Sequence, residues 1–388
     1  MSVSKNSKAD SRPNSSKIIS KRKTSWSFTF FVTALVPIIA GTIFYRLDSF
    51  DPAPLPSDVL TRHVVAVPSR NDRMLRGSEL VGEGSLLGPE DVAYDPSSGV
   101  IYTGCADGWI YRVTVNDSAS DMAVEKWINT GGRPLGIAVG GNGEVVVADS
   151  EKGLLKVTAE GTVEPLTDEA NGQKFKLTDG VDVAHNGIVY FTDASYKYSV
   201  NEFLWDILEG KPHGRLLSYD PATKRTELLI PNLYFANGVA VSPDQNHVIF
   251  CETPLRRCRK YHLQGKEKGR VDDFVDNLPG FPDNIRYDGE GHYWIGLSME
   301  YTDSWHFALS YPFIRKCVAI MMKYLGPPPM EKNGGVLAVD LAGKPAAHYY
   351  DPELSLVTSG IRIGDHLYGG SFFYPYIIRL NLNQHPAT

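Results

Sequence analysis

One short pattern occurs six times along this chain and limits its possible folds more than any other feature. It consists of a turn-prone polar pair, an apolar-x-apolar triplet, a Gly/Asp/Asn turn and a second apolar run that ends in a small residue. Residues 281–296 give the clearest copy, and the other copies start at residues 89, 134, 179, 237 and 359. The common spacing is roughly 45 residues, and insertions lengthen two copies. This spacing is typical of radial repetition, because one such sheet cannot bury both faces alone.

The repeat predicts an all-β fold, a six-bladed β-propeller. Short strands with alternating apolar residues and Gly/Asp/Asn turns support this fold, and a β-sandwich is the alternative. Apolar runs such as 153–157 and 334–340 supply third strands. The last copy ends at the C-terminus with three strands, so its fourth strand must come from elsewhere. We expect residues 63–67 to supply it and to close the ring, which removes an exposed sheet edge.

Composition and charge exclude one class of partner. The chain has 388 residues, of which 42% are hydrophobic and 22% charged, as in ordinary globular proteins. Its formal net charge of −6 provides no basic surface for a nucleic acid, and no nucleic-acid-binding motif is present. We therefore expect no nucleic-acid partner.

The N-terminal region predicts a membrane anchor. Residues 1–25 form a basic, polar tail without apolar periodicity, which is typical of disorder. Residues 26–45 carry no charge and are long enough to cross a bilayer, and the basic residues before them favour a cytosolic N-terminus. An uncleaved signal anchor or a cleaved signal peptide fits this pattern. A proline-containing linker, residues 46–62, precedes the propeller, residues 63–388. Both alternatives predict a protein of the secretory pathway (endoplasmic reticulum, vacuole or plasma membrane) with a lumenal or extracellular propeller.

An oxidising compartment makes disulfides and glycosylation possible. Cys251 and Cys258 flank a predicted hairpin turn and form one candidate disulfide, but Cys105 and Cys317 are equally available for pairing. Asn116 begins an Asn-Asp-Ser sequon on the side of the membrane where glycosylation takes place.

Two insertions interrupt the repeat. Residues 196–212 lengthen the third copy, and residues 300–332 lengthen the fifth. The second insertion is rich in aromatic and aliphatic residues and ends in three prolines, which predicts one or two helices. Insertions of this size are commonly lids or binding elements; packing on the rim and contact with a membrane surface are the alternatives. His306 lies in this candidate lid.

One position of the repeat predicts a metal site. Two positions before the first apolar residue of each triplet, the innermost strand of every copy should point a side chain towards the axis. Carboxylates brought together there repel each other, and they need a cation or protons. Oxygen ligands without His or Cys favour Ca²⁺, and Asn284 could add another ligand. Routine turn and capping roles are the alternative. In chain order, this axial column is Glu90, Leu135, Asp179, Asn237, Asp283 and Ser359.

The repeats also carry a family resemblance. From about residue 87 the chain resembles the strictosidine synthase-like family, and within it the membrane-anchored branch that is similar to adipocyte plasma membrane-associated protein. The stretches that carry the resemblance are GPE at 88–90, GRPLG at 132–136, ADS at 148–150, YFTDAS at 190–195, GRLL at 214–217, FANGVA at 235–240 and LPGFPDNI at 278–285.

The resemblance implies a propeller related to paraoxonases, gluconolactonases and diisopropyl fluorophosphatases, which hold calcium at the axis. It places the metal ligands of these enzymes at Glu90, Asp179, Asn237 and Asp283, with Asn284 at a further position used in paraoxonases. The relatives usually carry Asn where this chain has Asp179. The name-giving condensation of tryptamine with secologanin uses a glutamate in the sixth copy, and here the matching residue is Ser359 or Thr358. Neither hydroxyl can take up a proton near neutral pH, so we expect no strictosidine synthesis.

Two function classes follow from these features. The first is a membrane-anchored, calcium-dependent hydrolase of the arylesterase or lactonase type that acts on small hydrophobic esters. Its candidate catalytic residues are Asp283 or Glu90 as proton acceptor, Ser359 as nucleophile and His306 in the lid. The second is a propeller that binds a ligand without turnover and serves as a scaffold. A condensing enzyme with a different base is a third alternative.

Overall fold

The computed structural model of the chain describes residues 30–58 and 60–388. The predicted tail, residues 1–25, and the first residues of the predicted anchor lie outside this part. The chain divides into two compact units, Met1–Ser49 and Phe50–Thr388. The described part of the first unit is helical: a π-helical turn, Phe31–Leu35, leads into α1, Val36–Leu47. Among the described residues, no helix combines the length and the apolar character that crossing a bilayer requires.

The second unit is built from short strands. In chain order these are β1 (Ser69–Asn71), β2 (Ser78–Val81), β3 (Ala93–Asp95), β4 (Val100–Gly104), β5 (Trp109–Thr114), β6 (Val124–Asn129), β7 (Pro134–Val139), β8 (Val145–Asp149), β9 (Gly153–Val157), β10 (Val163–Thr167), β11 (Glu169–Ala170), β12 (Gln173–Lys174), β13 (Thr178–Val183), β14 (Val189–Asp193), β15 (Gly214–Asp220), β16 (Arg225–Leu233), β17 (Ala236–Val241), β18 (His247–Glu252), β19 (Arg257–His262), β20 (Val271–Val275), β21 (Gly280–Tyr287), β22 (His292–Glu300), β23 (Gly334–Asp340), β24 (Pro345–Asp351), β25 (Val357–Ile363), β26 (His366–Ser371) and β27 (Ile377–Asn381).

Six antiparallel sheets of consecutive strands form the six blades of a β-propeller, as the repeat predicts. Blades one to five are β3–β6, β7–β10, β13–β16, β17–β20 and β21–β24. Blade six is β25–β27, completed by β2. Strand β1 adds to the outer edge of blade five in parallel with β24, and β11 with β12 forms a separate hairpin. Each blade buries both faces against its neighbours, because its inner strands are apolar on both sides.

The closing strand differs from the predicted one. The last sheet is completed by β2, with Leu80 opposite Ile378, and residues 63–67 form no strand. Two contacts hold that segment along blade four instead: the Val65 amide donates to the Asn277 carbonyl over 2.8 Å, and Arg256 donates to the Thr61 carbonyl over 2.7 Å. These bonds hold residues 61–65 beside blade four, and β2 takes the place beside β27.

Both insertions are helical, as expected for the second. The first contains α2 (Phe203–Glu209), and the second contains α3 (Asp303–Ser310) and α4 (Pro312–Leu325), after which three prolines follow. Short 3-10 segments occur at Ala119–Asp121, Val200–Glu202, Thr253–Leu255 and Gly265–Glu267. Leu204 and Leu208 of α2 form one buried apolar cluster with Ala319 of α4. The two insertions, distant in sequence, therefore support each other.

The structure selects one cysteine pairing. Cys251 and Cys258 form a disulfide between β18 and β19, where they lie directly opposite each other. Cys105 is buried and Cys317 is exposed, and both are free thiols.

Candidate functional site

The axial column lies where the innermost strands are irregular. In blades two to five the register between the first and second strand shifts at the column residue. A bulge at this point bends the strand and re-aims its side chains. The shifts fall between Pro134 and Ile137, Thr178 and Val181, Ala236 and Val239, and Pro282 and Ile285.

Glycines after the column residues allow the blades to meet closely at the axis. A Cβ on Gly180 would lie 2.7 Å from the Asn237 carbonyl oxygen, and a Cβ on Gly238 would lie 2.5 Å from the Asp283 carbonyl oxygen. Such distances leave no room for a side chain, so only glycine permits this approach. The sequence pattern Asp-Gly and Asn-Gly thus reflects the contact between blades as well as turn formation.

Five of the six column residues converge on one small cavity of about 50 Å³. The sixth position is occupied by Thr358, and neither Ser359 nor His306 lines the cavity. The floor is polar and the rim is apolar. The lining residues are Glu90, Leu135, Leu177, Asp179, Val200, Phe203, Phe235, Asn237, Asp283, Leu356, Thr358 and Phe372.

Burial and mutual repulsion dominate the electrostatics of the floor. Burial raises the pKa of Glu90 well above its ordinary value, and the charges of Asp283 and Asp179 raise it further. Burial and the charge of Asp179 likewise raise the pKa of Asp283. Burial, followed by the charge of Asp91, raises the pKa of Asp179 to about 8. A bound cation or protons would relieve the repulsion between these three carboxyl groups.

Three oxygens of this floor have no hydrogen-bond partner although they are buried: Glu90 Oε2, Asp179 Oδ1 and Asn237 Oδ1. A buried polar atom without a partner is unusual and needs an explanation. In the part of the chain that the structure describes, no three His, Cys, Asp or Glu side chains form a group that could hold a metal ion by themselves. The amide oxygen of Asn237 is a further donor of a type that calcium accepts. Carboxylate and amide oxygens without a partner, on three residues that line one cavity, are donors of the type that a hard cation accepts.

The remaining oxygen of Glu90 is fixed by Asn284, whose side-chain amide donates to Oε1 over 2.9 Å. Asn284 is buried and does not line the cavity. It orients Glu90, and with this amide orientation it presents its NH₂ group to the carboxylate. The predicted role of Asn284 as a direct ligand remains a prediction.

Two hydroxyl groups of blade six, on Thr358 and Ser359, form hydrogen bonds to the backbone. Thr358 Oγ1 and Ser359 Oγ both donate to the Glu90 carbonyl oxygen, over 2.5 and 2.9 Å. Ser359 is fully buried. These two bonds join blade six to blade one beside the column, and they occupy the hydroxyl of the candidate nucleophile.

His306 lies away from the axis, on α3. Its Nδ1 is 2.8 Å from the Tyr301 hydroxyl. Burial lowers the pKa of His306, and the charges of Arg62 and Arg256 lower it further. The adjacent Trp305 packs against Phe281 with ring centroids 5.3 Å apart. These contacts support the packing of α3 on blade five, and they do not bring the imidazole to the cavity.

Sequence reasoning missed the rim. Val200 and Phe203 come from the first insertion, and Phe372 follows β26; Phe203 and Phe372 meet edge to face at 6.0 Å. Arg133 lies over the Phe372 ring at 5.1 Å. The apolar content of the first insertion was a usable signal for Phe203, but nothing in the sequence joins it to Phe372.

The predicted sequon is accessible. Asn116 is exposed after β5, and its side-chain amide donates to the Asp121 carbonyl over 2.7 Å. Glycosylation at Asn116 remains a prediction.

Similarity to known proteins agrees with this architecture. Family models match residues 179–266 (strictosidine synthase) and residues 69–113 (strictosidine synthase-like, N-terminal). The Arabidopsis thaliana Protein STRICTOSIDINE SYNTHASE-LIKE 6 is 53% identical over 362 residues, which cover 93% of this chain and 96% of the relative. Adipocyte plasma membrane-associated protein of Salmo salar is 34% identical over 336 residues, or 80% of this chain and 79% of the relative.

Solved structures share the fold at low identity. A gluconolactonase from Xanthomonas campestris superposes with a TM-score of 0.56 at 14% identity and covers 86% of this chain and 99% of its own. The calcium-binding protein regucalcin from Agrobacterium tumefaciens superposes with a TM-score of 0.52 at 15% identity, over 82% and 95% of the two chains. The propeller is shared with these proteins, and the extensive identity to the plant relatives shows that this chain belongs to the strictosidine synthase-like family.

Proposed function

We propose that this protein is a calcium-dependent hydrolase of the arylesterase or lactonase type that acts on small hydrophobic esters. One observation carries the proposal: three buried oxygens without a partner, on Glu90, Asp179 and Asn237, face one cavity whose rim is apolar. The fold shared with a gluconolactonase and with calcium-binding regucalcin supports it. Because fold does not determine function, the argument depends on the site.

In this proposal the rim of the cavity binds the substrate and the floor binds the cation. The apolar rim, including Phe203, Phe235 and Phe372, favours an uncharged apolar group and excludes water. Glu90, Asp179, Asn237 and Asp283 would hold the cation, and a bound calcium ion would supply polarisation of the ester or lactone carbonyl. Asp283 and Glu90 are the candidate proton acceptors, and burial raises the pKa of both carboxyls as long as no cation is bound.

The test uses the purified full chain. Calcium content is measured by elemental analysis, and hydrolysis of phenyl acetate and of a small lactone is measured before and after EDTA. We expect stoichiometric calcium, activity that EDTA removes and calcium restores, and loss of both in Asp283→Ala. The matched control is Asp273→Ala, since Asp273 is exposed and forms a surface ion pair with Arg259 at 2.9 Å.

Two outcomes separate the alternatives. Calcium that binds through Asp283 without hydrolysis of either substrate would support a ligand-binding propeller without turnover. Absence of bound calcium in the wild type would contradict both the metal site and the hydrolase.

We also propose that the protein does not form strictosidine. Thr358 and Ser359 occupy the place of the synthase base, and both hydroxyls donate to the Glu90 carbonyl. Incubation of the full chain with tryptamine and secologanin should give no product above the uncatalysed level. Enzymatic product formation would overturn this proposal.

The proposal includes a place in the cell. The uncharged residues 26–45, preceded by a basic tail, favour a single-pass anchor with the propeller in the secretory lumen or outside the cell. Protease protection of sealed microsomes tests the orientation, and a mobility shift after glycosidase treatment, absent in Asn116→Gln, tests the sequon.

A further inference from the structure

The outward face of α4 is apolar. Phe313, Cys317, Met321 and Tyr324 follow each other at intervals of four, four and three residues, so they share one side of the helix. Phe313 is 51% exposed, Met321 58% and Tyr324 70%, and Cys317 is also exposed. A helix on the surface of a globular protein normally turns its polar side to water. We call these four residues the outer stripe.

The inner side of the same helix is firmly held. Ala319 is fully buried against Leu204 and Leu208 of α2. Arg315, also fully buried, donates to the Leu208 carbonyl over 2.9 Å and to the Ala53 carbonyl over 2.5 Å. The helix therefore cannot rotate to bury the outer stripe without breaking these contacts.

Aromatic side chains before the helix extend the apolar surface. Phe307 and Tyr311 lie with ring centroids 5.0 Å apart, and Tyr311 and Phe313 lie 5.9 Å apart. Phe307 is 49% exposed and Tyr311 47%. Contiguous exposed apolar patches mark binding surfaces, whereas single exposed apolar residues are ordinary.

The charge of the helix favours one kind of occupant. The sequence of α4 is PFIRKCVAIMMKYL, which contains three basic residues and no acidic one. Arg315 is buried on the inner side, and Lys316 and Lys323 are the basic residues beside the stripe. An apolar stripe with aromatic residues beside lysines is the pattern of a helix that lies in a membrane interface.

The course of the chain points to the same occupant. Phe50 packs on Trp205 of α2 with ring centroids 5.4 Å apart, and the Ala53 amide donates to the Glu209 carbonyl over 2.8 Å. The polypeptide thus enters the propeller unit beside α2 and α4. Only Asp48 and Ser49 separate Phe50 from the end of the apolar helix α1 in the sequence.

We infer that the outer stripe of α4 binds the surface of a phospholipid bilayer, with Phe313, Met321 and Tyr324 inserted at the level of the headgroups. The segment that enters the propeller unit beside α2 and α4 directly follows the apolar N-terminal region in the sequence. Because α2 also contributes Phe203 to the rim of the axial cavity, lipid-dissolved molecules would reach that rim from the bilayer side.

The chain offers a native reporter for this surface. Cys317 is the exposed thiol of the outer stripe, and the other free thiol, Cys105, is buried. An environment-sensitive nitrobenzoxadiazole probe on Cys317 of the full chain, reconstituted into phosphatidylcholine–phosphatidylserine vesicles, reports lipid contact by its blue shift and its quenching by brominated lipid. The control is Asn142→Cys with Cys317→Ser, because Asn142 lies in the exposed turn after β7 at the opposite end of the propeller.

We expect quenching of the Cys317 probe to exceed that of the Asn142 probe several-fold. The triple variant Phe313→Ser, Met321→Ser, Tyr324→Ser should lose this difference while its thermal unfolding stays close to that of the wild type, since these side chains are exposed. Equal quenching of both probes, or no association with vesicles, would overturn the inference. A blue shift that persists in detergent and grows with protein concentration would also overturn it, because it would show that a second copy covers the stripe.

Discussion

Buried acidic residues lie at both ends of the propeller axis, but hydrogen bonds and ion pairs engage all of their oxygens at only one of the two ends. At one end, Glu90, Asp179 and Asn237 leave buried oxygens without a partner around a cavity of about 50 Å³. At the other end lies a wider, more polar cavity of about 380 Å³, lined by Asp182 and Arg286 among others. There every charge has partners: Asp182 accepts from the amides of Val183 and Val241, each over 2.8 Å.

Two neighbouring residues just before β3, Glu90 and Asp91, show this difference most directly. Asp91 accepts from the Val92 amide over 2.8 Å and from the Ile137 amide over 3.0 Å, and it forms a buried ion pair with Arg286. Arg286 also donates to the Val181 carbonyl over 3.1 Å. Glu90, one residue earlier, has a free oxygen. Satisfied carboxylates hold the blades together, whereas unsatisfied ones remain available for a ligand.

The largest expected effect is loss of the ion pair between blades. Arg286→Met leaves Asp91 buried without its cation, which should lower the free energy of unfolding by about 3–5 kcal/mol. Urea unfolding measures this, with Arg270→Met as the control because Arg270 pairs with Asp272 on the surface. Asp91→Asn combined with Arg286→Met should recover part of the loss. If Arg286→Met lowers the free energy of unfolding by less than about 1 kcal/mol, the ion pair with Asp91 is not a structural contact, and the contrast with the unpartnered carboxylates does not hold.

Removal of a floor carboxylate should act through calcium. Asp179→Asn removes a repelling charge, so the EDTA-treated protein should be as stable as the wild type or more stable at pH 8. The wild type should gain about 2.7 kcal/mol when calcium reaches about 100 times its Kd, and the variant should gain far less. Thermal unfolding with and without calcium measures both quantities. A large loss of stability in EDTA would assign Asp179 the same structural role as Asp91.

The pH dependence of stability should also distinguish the unpartnered carboxylates of the cavity floor from the ion-paired ones at the other end of the axis. Burial raises the pKa of Asp179 from the ordinary 3.8 to about 8, so the folded state binds more protons than the unfolded chain between these values. Stability in EDTA should therefore fall as pH rises from about 5 to 8. Calcium replaces these protons, so the stabilisation that it gives should grow over the same range. A curve in EDTA that stays flat for the wild type, or has the same slope in Asp179→Asn, would contradict this.

The smallest expected effect concerns Ser359. Ser359→Ala removes one of two hydroxyls that donate to the Glu90 carbonyl, at an expected cost of about 1 kcal/mol. Hydrolysis of phenyl acetate should change little in this variant. Thr358→Val serves as the matched comparison, because it removes the other hydroxyl. Complete loss of activity in Ser359→Ala with calcium still bound would restore Ser359 as a nucleophile.

Features that depend on local pattern could be predicted from the amino-acid sequence. The six copies, the column at the axis and the helices of the second insertion follow from periodicity, turn residues and the prolines at its end. Position in the repeat was enough to bring Glu90, Asp179, Asn237 and Asp283 to one cavity. Repetition converts a local pattern into a predictable arrangement, because every copy has the same orientation to the axis.

Only the tertiary structure decided what depends on pairs distant in sequence. The edge of β27 is closed by β2, residues 78–81, and not by the predicted residues 63–67. The pairing of Cys251 with Cys258 needed their opposite positions on β18 and β19. The ion pair of Asp91 with Arg286 joins residues 195 positions apart. Local sequence treats all carboxylates alike. Whether a carboxylate stabilises the fold or is free to bind a ligand depends on whether a partner from another blade lies beside it.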